Sequence, residues 1–476
     1  MNRTLVTALS VLLLSTAVPG GLVTAHAVEP PTAAPPGLPC AAGAPVRSDF
    51  DGDSLADLVV GGRWWNGTAS VREQYLLPGA GTPVWWHGTG DLQPADLNGD
   101  VCADAILFAG GYEPWVLLVP GTTSGLDLAA AVALAVPQAT DASEEEDRSL
   151  TFDAVGLRHD GFSQVVLAGR HVWENDNYGA FIDVLTLDSA LSVTATQVFS
   201  YSGVEGRITG FGPLAASGRS FAVGVPHQSV NGKAAAGAVY LFSADTAEPA
   251  TMVRRLVLTQ NSPGVPGSAE SMDRFGSSLA MRDGRLAIGV PGESDGNIRA
   301  SGLVQPVVWH EASNSYTARR AISQDLAGVP GRNEAQDRFG QTVEIARGLT
   351  AAGSWDIAIG ANERVGTRNE AGSVTVAGFT GSRFRVYTQR SPGMPGTVEA
   401  GDGFASVGVL ATSATVDTLL IGAPGEDAGG TANAGYAVRT DGVRLGADTV
   451  WTKIGIPADA TDGLTSWGLD FGNPAP

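Results

Sequence analysis

The sequence has 476 residues, of which 63 are glycine and 27 are proline, while only 16% are charged and 7% are aromatic. This composition is typical of many short strands joined by turns. The formal net charge of −20 at pH 7 argues against nucleic acid or an anionic membrane as a partner, because both attract positively charged proteins.

The chain begins with a segment typical of exported proteins. Residues 1–27 combine Arg3, an apolar run and a small-residue pattern ending at Ala27, and predict a secretory signal peptide cleaved after Ala27. An N-terminal membrane anchor is the alternative interpretation of the same run. Residues 28–45 form a proline-rich leader, and no later run is long and apolar enough to span a bilayer. We therefore expect a secreted protein without membrane insertion, folded over residues 46–476.

The two cysteines, Cys40 and Cys102, both lie in the exported part of the chain. An even pair in an oxidising compartment predicts one disulfide between them, which would join the N-terminal leader to the loop around Cys102. A catalytic role for Cys102 lacks support, because no histidine stands in a recognisable relation to it.

Two loops carry alternating acidic residues and run directly into an apolar strand: DFDGDSLAD from residue 49 and DLNGDVCAD from residue 96. Carboxylates that converge in a tight loop repel one another unless a cation lies between them, and calcium is the natural occupant. The glycine at the fourth position, rather than the sixth, and the missing glutamate at the twelfth distinguish both loops from an EF-hand. The predicted calcium ligands are Asp49, Asp51, Asp53, the Leu55 carbonyl, Asp57, Asp96, Asn98, Asp100, the Cys102 carbonyl and Asp104.

A repeat of about 64 residues fills the second half of the chain. Its first marker is Phe-Gly at Phe211, Phe275 and Phe339, with Phe404 in the same position, at intervals of 64, 64 and 65 residues. A second marker (GVP or GAP, at Gly224, Gly289 and Gly422, with GAN at Gly360) and a third (AG or SG, at residues 236, 301, 371 and 434) follow in each unit.

Each unit predicts four strands, and hence one small sheet that must pack against its neighbours around an axis. Three shorter units precede Phe211, so the sequence predicts an all-β, seven-bladed β-propeller of four-stranded blades. The final segment places Trp467 at the marker position of one further repeat. A lone strand there would complete the first blade and close the ring, whereas a frayed tail is the alternative.

The three markers and the calcium loops together resemble the FG-GAP repeats of the integrin α-subunit β-propeller and of secreted bacterial FG-GAP proteins. The resemblance covers residues 46–472. It implies a seven-bladed propeller, calcium in hairpin loops and a role in adhesion or recognition. Only the first two units keep the alternating acids, so we expect two metal sites.

Further candidate features are a concentration of tryptophans and the polar loops after the second marker. Those tryptophans, which either stack on sugar rings or pack between blades, are Trp64, Trp65, Trp85, Trp86 and Trp115. The loops at residues 292–301, 362–371 and 425–434 recur at equivalent positions, so we expect them on one face of the ring.

No catalytic constellation is evident, because the sequence lacks a GxSxG motif and HEASN at His310 lacks the second histidine of a zinc protease. We therefore expect a monomeric, non-enzymatic adhesion or recognition module with an extracellular protein or glycan ligand. A lectin-like carbohydrate binder and a hydrolase with an unrecognised site are the alternatives.

Overall fold

The computed structural model describes most of the chain after residue 57. The described residues are 58–65, 70–77, 84–88, 91–100, 102–110, 114–122, 125–136, 149–172, 178–201, 210–410, 415–427, 435–440, 445, 449–454 and 464–467. They form an all-β protein, a β-propeller. The predicted fold class is therefore confirmed.

Strands follow one another with only short helical turns between them. The first nine are β1 (Leu58–Trp65), β2 (Ser70–Leu77), β3 (Val84–Gly88), β4 (Asp91–Ala95), β5 (Asp104–Ala109), β6 (Trp115–Val119), β7 (Gly121–Thr122), β8 (Gly125–Leu126) and β9 (Val132–Leu134). The next eight are β10 (Ser149–His159), β11 (Phe162–Val172), β12 (Tyr178–Leu187), β13 (Val193–Tyr201), β14 (Leu214–Ser217), β15 (Ser220–Val225), β16 (Ala238–Ala244) and β17 (Met252–Leu258).

The C-terminal half continues the same pattern. Its strands are β18 (Ser278–Arg282), β19 (Arg285–Val290), β20 (Leu303–His310), β21 (Ser315–Ala318), β22 (Thr342–Arg347), β23 (Trp355–Ala361), β24 (Ser373–Gly378), β25 (Ser382–Tyr387), β26 (Ser406–Leu410), β27 (Thr418–Ala423), β28 (Tyr436–Arg439), β29 (Thr452–Ile454) and β30 (Leu464–Trp467). In the described ranges, 3-10 helices cover Leu128–Ala130 and Glu311–Ser313.

Six blades each consist of four antiparallel strands from one continuous stretch of chain. They are β4-β5-β6-β9, β10 to β13, β14 to β17, β18 to β21, β22 to β25 and β26 to β29. One further four-stranded sheet has the order β3-β2-β1-β30 and thus combines strands from both ends of the described chain. The sequence predicts seven blades, whereas six are built in this contiguous way and the remaining sheet is composite.

The core is a series of apolar layers between neighbouring blades. All positions of β15 and β16 are buried, because both faces of these strands are covered by adjacent blades. The outermost strand of a blade alternates instead, as in β17, where exposed and half-buried residues separate the buried ones. The apolar clusters accordingly combine residues of successive sheets, for example Phe108 with Phe152.

The three sequence markers meet at the seam, which we define as the boundary between consecutive blades. The backbone N–H of Phe339 donates to the carbonyl of Ser301 in the preceding blade at 2.9 Å, and the Phe339 side chain is fully buried. Gly302 adopts φ +82°, and a Cβ there would lie 2.3 Å from the Phe339 carbonyl oxygen. A Cβ on Gly289, of the second marker, would lie 2.1 Å from the Gly340 carbonyl oxygen. The markers are therefore where backbones of two blades approach most closely.

Candidate functional site: an arginine-rimmed cavity on the propeller axis

A cavity of about 980 Å³ lies on the propeller axis. Its walls are the first strands of the six contiguous blades, β4, β10, β14, β18, β22 and β26, together with the loops that precede several of them. Small and apolar residues such as Ala216 and Val343 form much of the inner wall. Polar groups contribute about as much of the lining surface as apolar groups do.

Four arginines line the end of the cavity at which the first strands begin. We call Arg170, Arg274, Arg299 and Arg338 the arginine rim. Arg170 lies near the end of β11, Arg299 lies in the loop after β19, and Arg274 and Arg338 stand directly before Phe275 and Phe339. Arg274 is half-buried, while the other three remain exposed.

His227 also lines this end of the cavity. Its pKa is lowered by partial burial and, beyond that, by the positive charges of Arg274 and Arg170. The imidazole is therefore biased towards its neutral form, and its pKa reports a positive potential at the rim.

The fifth arginine of the lining, Arg282, stands at the other end of β18 and is neutralised. Its guanidinium donates to both oxygens of Asp417, whose side chain is fully buried. Asp417 also accepts the backbone N–H of Arg347 at 2.6 Å. Among the described lining residues, the one acidic side chain is that of Glu344. Arg274, Arg299 and Arg338 of the arginine rim form no ion pair with an acidic side chain in the described part of the chain, so positive charge is concentrated at this end of the cavity.

Buried acidic clusters recur near the seams. Their residues are not among the sites predicted from the sequence. Asp273 accepts the backbone N–H of Glu270, Asp337 that of Glu334 and Asp402 that of Glu399. A second carboxyl follows in each unit at Glu293, Glu363 and Glu426. A buried glutamine donates to it in two of the units, Gln260 to Glu293 at 2.6 Å and Gln389 to Glu426. The available signal was the spacing E-x-x-D, repeated before Phe275, Phe339 and Phe404.

Burial and mutual repulsion make these carboxyls weak acids. Burial, followed by the charges of neighbouring acidic residues such as Asp273, raises the pKa of Glu293 to about 7. Burial likewise raises the pKa of Asp337 to about 7, with further contributions from Glu363 and Glu334. Gln228 occupies the position equivalent to Glu293 in the preceding repeat, so one unit lacks this ionisable group.

The first predicted calcium loop, with Asp49, Asp51, Asp53, Leu55 and Asp57, lies outside the described residues. In the second loop, Gly99 adopts φ +85° at the tight turn, as expected. Asp96 accepts the N–H of Gly99 at 2.7 Å, and Asp100 accepts that of Cys102 at 2.9 Å. The structure thus brings the second set of residues into one compact loop.

Asp104, the last of the predicted calcium ligands, is fully buried behind this loop. One carboxylate oxygen accepts the N–H groups of Leu97 and Asn98, and the other accepts that of Gly121 at 2.9 Å. The donor set is all oxygen, which suits calcium, but these oxygens already accept backbone N–H groups. Within the described ranges, no three acidic, histidine or cysteine side chains converge as a metal cluster. Calcium binding therefore stays a prediction.

Cys102 is buried and is not a free thiol. Cys40 lies outside the described residues, and so its pairing with Cys102 stays a prediction. The signal peptide and leader also lie outside them, as do the side chains of four of the five predicted tryptophans. Trp115, the fifth, is half-buried.

The polar loops after the second marker adopt equivalent turns where they are described. Paired bridges close them at Val230 and Lys233, at Asp295 and Ile298, and at Val365 and Arg368. The loop that holds Arg299 reaches the axial cavity. The loop at residues 425–434 is described only as far as residue 427.

The alternative of a hydrolase requires a serine near a histidine, and a network of hydrogen bonds and ion pairs connects Ser220 to the neighbourhood of His159. This network lies at the end of the blades opposite the arginine rim. Ser220 donates to Glu311 at 3.0 Å and accepts from the indole of Trp309, while Arg219 links Glu311 to Asp160 beside His159. Ser220 is fully buried, so its hydroxyl is not accessible to a substrate. His310 is exposed and contacts Thr317.

No family profile and no curated protein matches this sequence. Weak likeness to solved structures exists. The cobalt-substituted apocarotenoid oxygenase of Synechocystis is 11% identical, with 84% of this chain and 90% of that chain covered and a TM-score of 0.39. A sucrose-6-phosphate hydrolase from Lactobacillus gasseri is 8% identical, with coverage of 88% and 86% and a TM-score of 0.31. At these TM-scores the likeness carries no argument about activity.

Within the described ranges, no helix combines the length and the apolar character that a membrane-spanning helix needs.

Proposed function

We propose that this protein is a secreted recognition module that binds an extracellular ligand at the axial cavity. The observation that carries the proposal is the cavity itself, with about 980 Å³ of space framed by six blades and the arginine rim at one end. Ligand sites in proteins are typically concave and mostly apolar, with a few polar groups that set orientation. The cavity is concave and has an apolar inner wall, while its larger polar share suits a polar ligand.

The experiment that tests the proposal is capture of ligands from arrays of glycans and extracellular proteins by the mature chain. Ala216→Trp, on the inner wall, would fill the cavity, while Ala318→Trp on the outer strand β21 adds the same bulk outside it. We expect a captured ligand to be lost with Ala216→Trp and kept with Ala318→Trp. Equal capture by both folded variants would overturn the proposal.

The proposal includes the finer architecture suggested by the sequence: a closed FG-GAP-type ring of seven blades. The composite sheet supports it, because β30 occupies the place next to β1 that the first strand holds in the other blades. All three markers lie at the seam, where the backbones of two blades approach closely. This common location supports membership of the FG-GAP family.

We also propose that calcium stabilises the two acidic loops and that a Cys40–Cys102 disulfide joins the leader to the second loop. The compact turn at Gly99 and the oxygen-rich set of Asp96, Asn98, Asp100 and Asp104 support the first point. The buried, non-free Cys102 supports the second. Both additions suit a protein outside the cell, where calcium is abundant and disulfides persist.

A further inference from the structure

We propose that the arginine rim binds a small ligand that carries two or more oxyanion groups, carboxylates or phosphates. This inference rests on the proposed function, since it names the chemistry of the ligand held at the axial cavity.

Charge is the first argument. The chain has a formal net charge of −20, yet the described residues that line its axial cavity include five arginines, no lysine and one acidic residue. One of the five, Arg282, is neutralised by Asp417. In the described part of the chain, no acidic side chain forms an ion pair with Arg274, Arg299 or Arg338. An acidic protein has thus concentrated positive charge where a ligand would enter.

The choice of arginine is the second argument. A guanidinium presents several N–H donors in a planar fork that matches a carboxylate or a phosphate, and it keeps its charge when partly desolvated. The rim arginines come from three different blades, because Arg170 belongs to β11, Arg274 precedes β18 and Arg338 precedes β22. Donors that approach from several sides suit a ligand with more than one anionic group.

The backbone of the rim gives a third argument. Arg274 has φ +59° and Arg338 has φ +50°, a left-handed conformation that is unfavourable for a non-glycine residue. The equivalent position in the next repeat is Gly403, with φ +62°. Glycine is therefore compatible with the backbone conformation at this position. The arginines adopt the same conformation at an energetic cost and place their side chains at the cavity.

His227 provides a built-in reporter. The charges of Arg274 and Arg170 lower its pKa, so an anion bound between them would oppose that effect and raise the pKa. This readout depends on where the anion binds and not merely on whether the protein is stabilised.

The test is a calorimetric titration of the mature chain, in calcium-free buffer of low ionic strength, with four probes built on similar carbon chains. Sorbitol is neutral, gluconate carries one carboxylate, glucarate carries two, and fructose 1,6-bisphosphate carries two phosphates. We expect no binding of sorbitol, weak binding of gluconate and at least tenfold tighter binding of glucarate or the bisphosphate. Preference between the last two identifies the oxyanion as carboxylate or phosphate.

The double variant Arg274→Gln/Arg338→Gln should weaken binding of the preferred probe at least tenfold. The matched control is Arg319→Gln/Arg320→Gln, which removes the same charge from an exposed site outside the cavity. It should bind within about twofold of the wild type. In the wild type, the preferred probe should raise the pKa of His227, measured by NMR and assigned with His227→Gln.

The inference would be overturned if neither glucarate nor the bisphosphate bound. It would also be overturned if the two double variants weakened binding equally. The proposed function is tested separately and can survive the failure of this inference. If the rim double variant still captures an array ligand that Ala216→Trp loses, the cavity binds a ligand but the arginines do not select it.

Discussion

The backbone N–H of Phe339 donates to the carbonyl oxygen of Ser301, a residue of the preceding blade, at 2.9 Å. The same bond recurs from Phe275 to Ala236 and from Phe404 to Ala371. The Phe marker therefore joins two blades, and it does so by its backbone while its ring fills the layer between them. A seam of this kind leaves no room for a side chain at the facing glycine.

Gly302→Ala should destabilise the protein strongly. The new Cβ would lie 2.3 Å from the Phe339 carbonyl oxygen and 2.4 Å from its amide nitrogen, so one blade must move away from the next. We expect a loss of about 3 kcal/mol or more in the free energy of unfolding, measured by chemical denaturation.

Gly296→Ala is the matched control for that change, because Gly296 lies in the same loop with φ +58° and has open space around its Cβ position. It should cost about 1 kcal/mol, which is the backbone term alone. Equal losses for the two variants would show that the close approach at the seam does not matter.

Stability should fall as the pH rises from about 5 to 8. Glu293 and Asp337 have folded-state pKa values of about 7, above the ordinary values of 4.5 and 3.8. Because the folded chain holds these protons more tightly, their contribution is complete below about pH 4 and is lost as the pH passes through 7. Thermal unfolding in calcium-free buffer would measure the trend.

Glu293→Gln should reduce the pH dependence of stability, because glutamine does not ionise. The position tolerates glutamine in the preceding repeat, where Gln228 is the equivalent residue. We expect the variant to gain about 1–2 °C in Tm at pH 8 relative to the wild type, and little at pH 5. A Tm difference that is independent of pH would contradict a role for ionisation at this site.

Asp100→Ala should lower thermal stability in 1 mM calcium but change little in the presence of a chelator. For a site with an assumed dissociation constant of ~0.1 mM, 1 mM calcium contributes about 1.4 kcal/mol. Asp188→Ala is a suitable control, because Asp188, like Asp100, accepts two hydrogen bonds within a turn but lies outside the predicted loops. It should destabilise equally in both buffers. Equal behaviour of Asp100→Ala in both buffers would argue against calcium at this loop.

The mature chain should contain no alkylatable thiol when it is unfolded without reductant, and two after reduction. Mass spectrometry after iodoacetamide treatment measures both states. Cys40→Ser should then expose one thiol at Cys102 and lower the free energy of unfolding by about 2–5 kcal/mol. Two reactive thiols in the unreduced, unfolded chain would contradict the predicted disulfide.

The sequence was sufficient for the fold class because the markers at Phe275 and Phe339 mark close backbone approaches that only certain residues allow. It also located the loop around Gly99. It did not locate the cavity, because Arg170, Arg274 and Arg299 are brought together only when blades pack around an axis, and each is unremarkable in its local context. The buried carboxyls at Asp273 and Glu293 were missed for a related reason. Exposed acids and buried ones look alike in a sequence, and burial here comes from the neighbouring blade.

The pairing of β30 with β1 has a consequence for the growing chain. Gly62 pairs with Trp467, so about 400 residues must be synthesised between the two halves of that ladder. At ~5–20 residues per second, β1 waits roughly 20–80 s for its partner. Throughout that interval one side of β1 presents unpaired backbone groups, which are a template for aggregation. Prolonged delay in translation near the C-terminus should therefore harm folding more than an equal delay within a middle repeat.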